Sequence, residues 1–225
     1  MYSNPELPSS LISEFALADK AHRQGRLEEA LPLYRQLTVR RPELTEAWNR
    51  LGLVYLQQSQ WESAIASYKQ SLLRNPDQAV VWYNLAQAYE ESDYLQEAAT
   101  AYQQAITLEP GYIDAVYNLG CLRLRQSDFK TAVDEFMRCI QIDPNHAPAH
   151  NNLGKSFGCI NECEQALAYY QRAAELDPYL GEAWFNLAET YYQRAMTLPL
   201  HPRLTLAEVE TIAETLLTIA QKKFL

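Results

Sequence analysis

Apolar and polar positions along the chain follow one pattern that returns every 34 residues, without insertion, from Leu11 to Leu180. Counting each repeat from Leu11, Thr45, Ala79, Ile113, Ala147 and Gly181, position 7 is Leu17, Leu51, Leu85, Leu119, Leu153 and Leu187. Position 8 is small (Ala18, Gly52, Ala86, Gly120, Gly154, Ala188), and position 20 is alanine (Ala30, Ala64, Ala98, Ala132, Ala166). Position 24 is aromatic (Tyr34, Tyr68, Tyr102, Phe136, Tyr170) and position 32 is proline (Pro42, Pro76, Pro110, Pro144, Pro178). Positions 4, 7, 8 and 11 are spaced i, i+3, i+4 and i+7, which places them on one face of a first helix. Positions 17, 20, 24 and 27 do the same for a second. Small residues at 8 and 20 let two backbones approach closely, while aromatics around them fill the remaining space. Each repeat is predicted to be an antiparallel helical hairpin.

Position 15, where the first helix must stop, holds Gly25, Ser59, Asp93, Ser127 and Asn161. These are turn formers or N-caps. Glu28, Glu62, Gln96 and Glu164 follow three residues later, so a capping box is expected to start most second helices, with Lys130 as the exception. Proline at position 32 closes the second helix.

The columns Trp82, Leu85, Ala86 and Tyr89, then Ala98, Tyr102, Ala105 and Pro110, resemble the tetratricopeptide repeat family over residues 11 to about 193. The resemblance implies an all-α fold, a right-handed superhelix or α-solenoid. It would hold five full repeats (11–44, 45–78, 79–112, 113–146, 147–180), a partial sixth (181–193) and a C-terminal capping helix. A single hairpin cannot bury its apolar face, but a stack of them can.

Residues 1–10 carry two prolines and no apolar run, and are expected to form a short disordered lead, neither signal peptide nor anchor. The sixth repeat starts in pattern with Trp184, Leu187, Ala188 and Tyr191, then loses it at Pro199 and Pro202. Thr205 and Glu208 form a new capping box, and Leu206, Val209, Ile212, Ala213, Leu216, Ile219 and Ala220 trace one apolar stripe. Residues 194–225 are therefore predicted to be a linker and a helix that covers the last repeat. The competing expectation is a hinge into a further domain.

Composition excludes several function classes. With 225 residues, 48% hydrophobic and 21% charged, the chain is an ordinary globular sequence, long enough for a continuous core. No stretch approaches the length of apolar run that a membrane span needs, so no membrane association is expected and the cytoplasm is the default compartment. A net charge of −9 argues against a nucleic-acid surface, which needs a concentrated basic stripe. The four cysteines (Cys121, Cys139, Cys159, Cys163) include one pair four residues apart, but that pair straddles a turn with no histidine beside it. A metal site is not expected there. The four histidines fall at unrelated phases, and neither a phosphate loop nor a nucleophile elbow is present. No catalytic residue, metal or cofactor is predicted, and the chain is not read as an enzyme.

The functional signal lies on the first helix, opposite its partner, where position 6 reads Ala16, Arg50, Asn84, Asn118, Asn152 and Asn186. Asparagine is a poorer helix former than alanine, so four in succession need a reason beyond folding. An amide carries both a donor and an acceptor, the pair a peptide backbone presents. Packed helices stand roughly 8–10 Å apart and an extended chain advances roughly 3.3 Å per residue. Such a ladder would clamp about every third residue of an extended peptide. By resemblance to the asparagine ladder in the repeat region of O-GlcNAc transferase, Asn84, Asn118, Asn152 and Asn186 line a concave groove, flanked here by Tyr83, Tyr117, Asn151, Gln87 and Lys155. The other reading is that the amides bond to neighbouring helices and fix the angle between repeats.

The face carries more acid (Glu46, Glu90, Glu91, Asp114, Glu182, Glu189) than base (Arg50, Arg125, Lys155). The expected partner is a protein or peptide segment, extended and neutral to mildly basic, held by a monomeric scaffold. A second function from a different class is the substrate-selecting region of a larger enzyme, such as a bacterial glycosyltransferase of the O-GlcNAc transferase type. The basic clamp by which some members of the family hold a terminal carboxylate is absent, since its places hold Phe15 and Asp19, then Asn49 and Leu53.

Overall fold

The computed structural model describes residues 9–197, with side chains over 13–194. Every regular element among the described residues is an α-helix: α1 Ser9–Arg23, α2 Leu27–Arg40, α3 Thr45–Gln57, α4 Trp61–Arg74, α5 Ala79–Glu91, α6 Leu95–Leu108, α7 Ile113–Arg125, α8 Phe129–Ile142, α9 Ala147–Cys159, α10 Cys163–Leu176 and α11 Gly181–Thr197. Two compact units divide the chain between the third and fourth repeats, Met1–Tyr112 and Ile113–Leu225. In the first, α1 packs on α2, α3 on α4 and α5 on α6, with α2 also packed on α3 and α4 on α5; in the second, α7 packs on α8, α8 on α9, α9 on α10 and α10 on α11. α1 begins at Ser9, two residues inside the segment expected to be disordered. The predicted capping helix lies outside the described residues.

The columns read from the sequence form the core. Position 20 is fully buried in all five complete repeats, and Tyr34, Tyr68, Tyr102 and Phe136 at position 24 are withdrawn from solvent entirely. The close helix approach at position 8 is literal. A Cβ added to Gly52 would stand 2.6 Å from the Tyr68 ring, one on Gly120 2.7 Å from Phe136, and one on Gly154 2.8 Å from Tyr170 and 3.0 Å from the Ala166 carbonyl oxygen. Cys139 is buried in the position 27 column as expected, and burial pushes its thiol pKa up to about 12.

A second buried face on the first helices was not anticipated. Position 3 (Ala47, Val81, Ala115, Ala149, Ala183) and position 10 (Val54, Ala88, Leu122, Ser156) are fully or almost fully buried. The face facing the partner helix is thus joined by one that packs against a neighbouring hairpin. α1 carries exposed Ser13 and Lys20 at those positions, and its Leu17 is 55% exposed.

The turn inside each hairpin corrects the capping-box expectation. Gly25, Ser59, Asp93, Ser127 and Asn161 adopt φ between +57° and +72°, the left-handed region. The next residue sends its backbone N–H back to the carbonyl five residues earlier: Arg26 to Ala21, Gln60 to Tyr55, Tyr94 to Tyr89, Asp128 to Arg123 and Glu162 to Phe157, each at 2.9 Å. This is a Schellman closure of the first helix. Position 15 therefore ends one helix rather than capping the next. The N-caps are Arg26, Gln60, Tyr94, Asp128 and Glu162, of which Asp128 alone accepts a capping bond, from Thr131 N–H at 3.4 Å.

The loop between repeats is fastened from the following helix. Trp48, Trp82 and Trp184 at position 4 donate their indole Nε1–H to the carbonyls of Pro42, Pro76 and Pro178, at 2.9, 2.8 and 3.2 Å. His150 does the same with Nε2 toward the Pro144 carbonyl at 2.9 Å. Arg123, partly exposed on α7, donates from Nη1 to the amide oxygen of Gln126 at 3.0 Å.

Candidate functional site

Position 6 side chains reach the preceding first helix. In the second unit Asn152 Nδ2 donates to Tyr117 Oη at 3.1 Å and lies 3.4 Å from Cys121 Sγ, while Asn186 Nδ2 donates to Asn151 Oδ1 at 3.0 Å. Asn151 Nδ2 in turn faces Asn152 Oδ1 at 3.5 Å. The geometry is the same at both joints, from position 6 of one repeat to position 5 of the repeat before it. Each donating amide uses a donor in this way and keeps acceptor capacity on its oxygen. Asn118 is half-buried on α7, and Lys155 is exposed beside Asn152.

The flanking tyrosines are held by their own repeats. Tyr83 lies 5.8 Å from the Tyr102 ring and 5.0 Å from Tyr112, and Gln87 Nε2 donates to its hydroxyl at 3.2 Å. Tyr117 lies 5.9 Å from Phe136 and 5.0 Å from His146. Burial, helped by the neighbouring Cys121, pushes the Tyr117 phenol well above its ordinary range. Both rings are rigid and half-buried, each with one face committed to its repeat.

In the first unit α3 touches α5, and Asn84 on α5 is only 7% exposed. Arg50, at position 6 of the second repeat, sets its Nε 2.8 Å from Glu46 Oε1 and 3.7 Å from Asp19 Oδ1, an ion-pair contact off the hydrogen-bond axis. Beside it lies a cleft of about 700 Å³ between α3, the start of α5 and the end of α6. Its polar lining is Glu46, Asn49, Arg50, Asp77, Gln78 and Glu109; Leu53, Val80, Val81 and Leu108 supply the apolar part. Asn49 is 8% exposed, and its buried Oδ1 has no hydrogen-bond partner. The column reading placed Asn49 at position 5 without marking it as a site residue. The signal that could have found it is an asparagine at position 5, which is aromatic at Phe15, Tyr83, Tyr117 and Phe185.

Among the described residues no group of three or more histidines, cysteines or acids is placed to hold a metal ion. No described helix is long and apolar enough to cross a membrane. Cys159 and Cys163 are exposed free thiols and Cys121 is half-buried.

A search of curated proteins found no match. Among solved structures the chain is similar to a MamA protein, 26% identical over 72% of this chain and 94% of that one, with a TM-score of 0.70. YrrB, described as a TPR protein with an unusual peptide-binding site, is 18% identical over 84% of this chain and 96% of its own, at a TM-score of 0.67. The C-terminal part of a TPR repeat-containing protein from Cytophaga hutchinsonii reaches a TM-score of 0.79 at 15% identity, covering 92% of this chain and 80% of that one. One tetratricopeptide repeat model matches residues 15–69, 49–113 and 151–216, and a second matches 113–146. With hairpins, turns and core columns in register with those matches, the chain belongs to the tetratricopeptide repeat family.

Proposed function

We propose that the chain is a non-enzymatic scaffold that grips an extended segment of a partner protein along the first-helix faces of its repeats. The observation that carries this reading is the division of labour between helices. The inner faces of the second helices are consumed in packing, whereas positions 5, 6 and 9 of the first helices keep Tyr83, Tyr117, Asn118, Asn152, Asn186 and Lys155 partly or fully exposed, with Asn84 and Asn151 buried among them. A partly engaged amide with remaining acceptor capacity suits a passing backbone N–H, and a flat tyrosine packed on its own repeat suits side chains at low entropic cost. The peptide-binding site described for YrrB belongs to that protein, and the present reading is of the same kind. The excess of acid on the face favours a neutral to mildly basic partner.

The test is a selection from displayed random peptides with the intact chain, followed by affinity measurement on a variant with Asn84, Asn118, Asn152 and Asn186 changed to alanine. At about 0.5–1.5 kcal/mol per net hydrogen bond, losing four contacts weakens binding by about one and a half to four decades. The double variant Asn152→Ala with Asn186→Ala is expected to melt lower, because it removes bonds that join repeats. If the fourfold variant melts lower yet binds selected peptides normally, the amides serve only the fold and the clamp is wrong.

A further inference from the structure

We propose that a second cleft, among α4, α5 and α6, binds a tyrosine side chain of a partner protein. The chain itself supplies the template. In the fifth repeat Tyr169, at position 23, fills the corresponding space among α8, α9 and α10. Its ring stacks on Phe157 at 5.5 Å with the planes 5° apart, lies 6.0 Å from the His150 ring, and sends its hydroxyl to Met137 Sδ at 3.4 Å. Those partners stand at positions 11 and 4 of the same repeat and position 25 of the repeat before. In the third repeat the same three columns hold Tyr89, Trp82 and Lys69, but position 23 is Ala101. Alanine brings no ring, and these four residues line an open cleft of about 590 Å³ floored by buried Leu72 and Leu85.

The walls are aromatic and already fixed, Trp82 by its indole bond to the Pro76 carbonyl and Tyr89 by its edge contact with Tyr94. Lys69 holds its ammonium over the Tyr89 ring, 5.3 Å from the centroid, so that face is open to an incoming group. A ring stacked there and edged by Trp82 gains what aromatic pairs gain. The difference between the two sites then selects the ring. Met137 is a weak acceptor for the Tyr169 hydroxyl, whereas exposed Lys69 carries three N–H donors and a positive charge on a flexible stem. An occupant with an acceptor oxygen at its tip is therefore favoured. Tyrosine meets both demands; phenylalanine offers Lys69 nothing, and an aliphatic side chain leaves both aromatic walls unmatched. Leu73, 77% exposed at the lip, continues the apolar surface past the reach of one ring, which favours a residue carried on a chain over a free phenol. The cleft uses none of the position 6 amides, so it does not depend on the clamp.

Displayed random peptides are selected on the full chain and sorted by whether they also bind the Ala101→Tyr variant, which plugs the cleft as the fifth repeat does. Peptides that bind the parent but not the plugged chain are expected to carry tyrosine at one fixed position. Replacing that tyrosine by alanine should weaken binding to the parent on the order of thirty-fold. Replacing it by phenylalanine should cost about three- to ten-fold in the parent and nothing in Lys69→Met, where the oxygen has no donor to meet. Lys69 is exposed, so that variant keeps its fold, and changes in the peptide leave the chain untouched; both measurements stand even if Ala101→Tyr folds poorly. Discriminating peptides without a fixed tyrosine, or no discriminating peptide at all, would overturn the proposal. So would p-cresol binding as tightly as the peptides, or a parent that dimerises in light scattering while Ala101→Tyr stays monomeric, because the cleft would then hold a small molecule or a second copy. Peptides that bind parent and plugged chain alike report on the position 6 face instead, so the two readings fail separately.

Discussion

The column of aromatics at position 24 offers a signed test of how the hairpins are stabilised. Tyr68 and Tyr102 are both fully buried, but their hydroxyls meet different surroundings. Tyr102 Oη donates to Glu90 Oε2 at 3.0 Å, whereas Tyr68 Oη is buried without a hydrogen-bond partner. Burial alone drives the Tyr68 phenol far above its ordinary pKa, with no neighbour contributing. Phe136 occupies the same column in the fourth repeat, so a ring without a hydroxyl suits the site. Deleting an unsatisfied buried hydroxyl should return about 1 kcal/mol, the low end of its desolvation cost. Deleting one bonded to a half-exposed carboxylate should lose about as much. For a chain of this size 1 kcal/mol moves Tm by about 2–4 °C. Tyr68→Phe is therefore expected to melt about 2–4 °C higher than the parent, and Tyr102→Phe lower by a similar amount, followed by circular dichroism at the helix band. Equal losses from both substitutions would refute the argument.

Gly154→Ala should destabilise by about 1 kcal/mol net, since overpacking of about 1–3 kcal/mol against the Tyr170 ring and the Ala166 carbonyl outweighs about 1 kcal/mol of gained helix propensity; urea denaturation measures the sign. Ser59→Gly should stabilise by about 0.5–1 kcal/mol, because φ at Ser59 is +57° and the side chain that opposes this conformation is removed; a shift of the urea midpoint checks it. Tyr34, Tyr68, Tyr117 and Tyr170 all have phenols raised above their ordinary pKa, chiefly by burial. The unfolded chain releases these protons first, so stability is intact below about pH 10 and falls as pH rises beyond it; a Tm series across that range tests the sign.

Most of the fold was legible because its determinants are columns. Alanine at position 20, an aromatic at 24 and proline at 32 recur without exception, and each has one physical job that a single repeat reveals. The buried face at positions 3 and 10 was harder to see. Its residues, such as Ala47 and Ala88, are small and signal little in one repeat, and their burial comes from a different hairpin. The role of position 15 was half legible: Ser59 and Asp93 suit both a cap and a left-handed turn, and only the backbone distinguishes the two. The site was the least legible part. Asparagine at position 6 is equally suited to a ligand and to a neighbouring repeat, and the bonds from Asn152 to Tyr117 and from Asn186 to Asn151 depend on helix spacing that no column records. Asn49 becomes notable only once α5 covers it.

The bond from the position 4 ring to the proline carbonyl six residues upstream has a consequence for how such a chain can grow. Both partners lie within one short segment that spans the border between repeats, so the joint is complete before either hairpin is consulted. A duplicated repeat therefore arrives with its own fastening, and the stack can lengthen without matched changes elsewhere. His150 shows how loosely the part is specified: any flat ring that brings an N–H to the same point suffices. Where the joint is fastened in this way it uses a distance and a donor and leaves the identity of the ring free, and Val116 at position 4 of the fourth repeat shows that the part itself can be dispensed with.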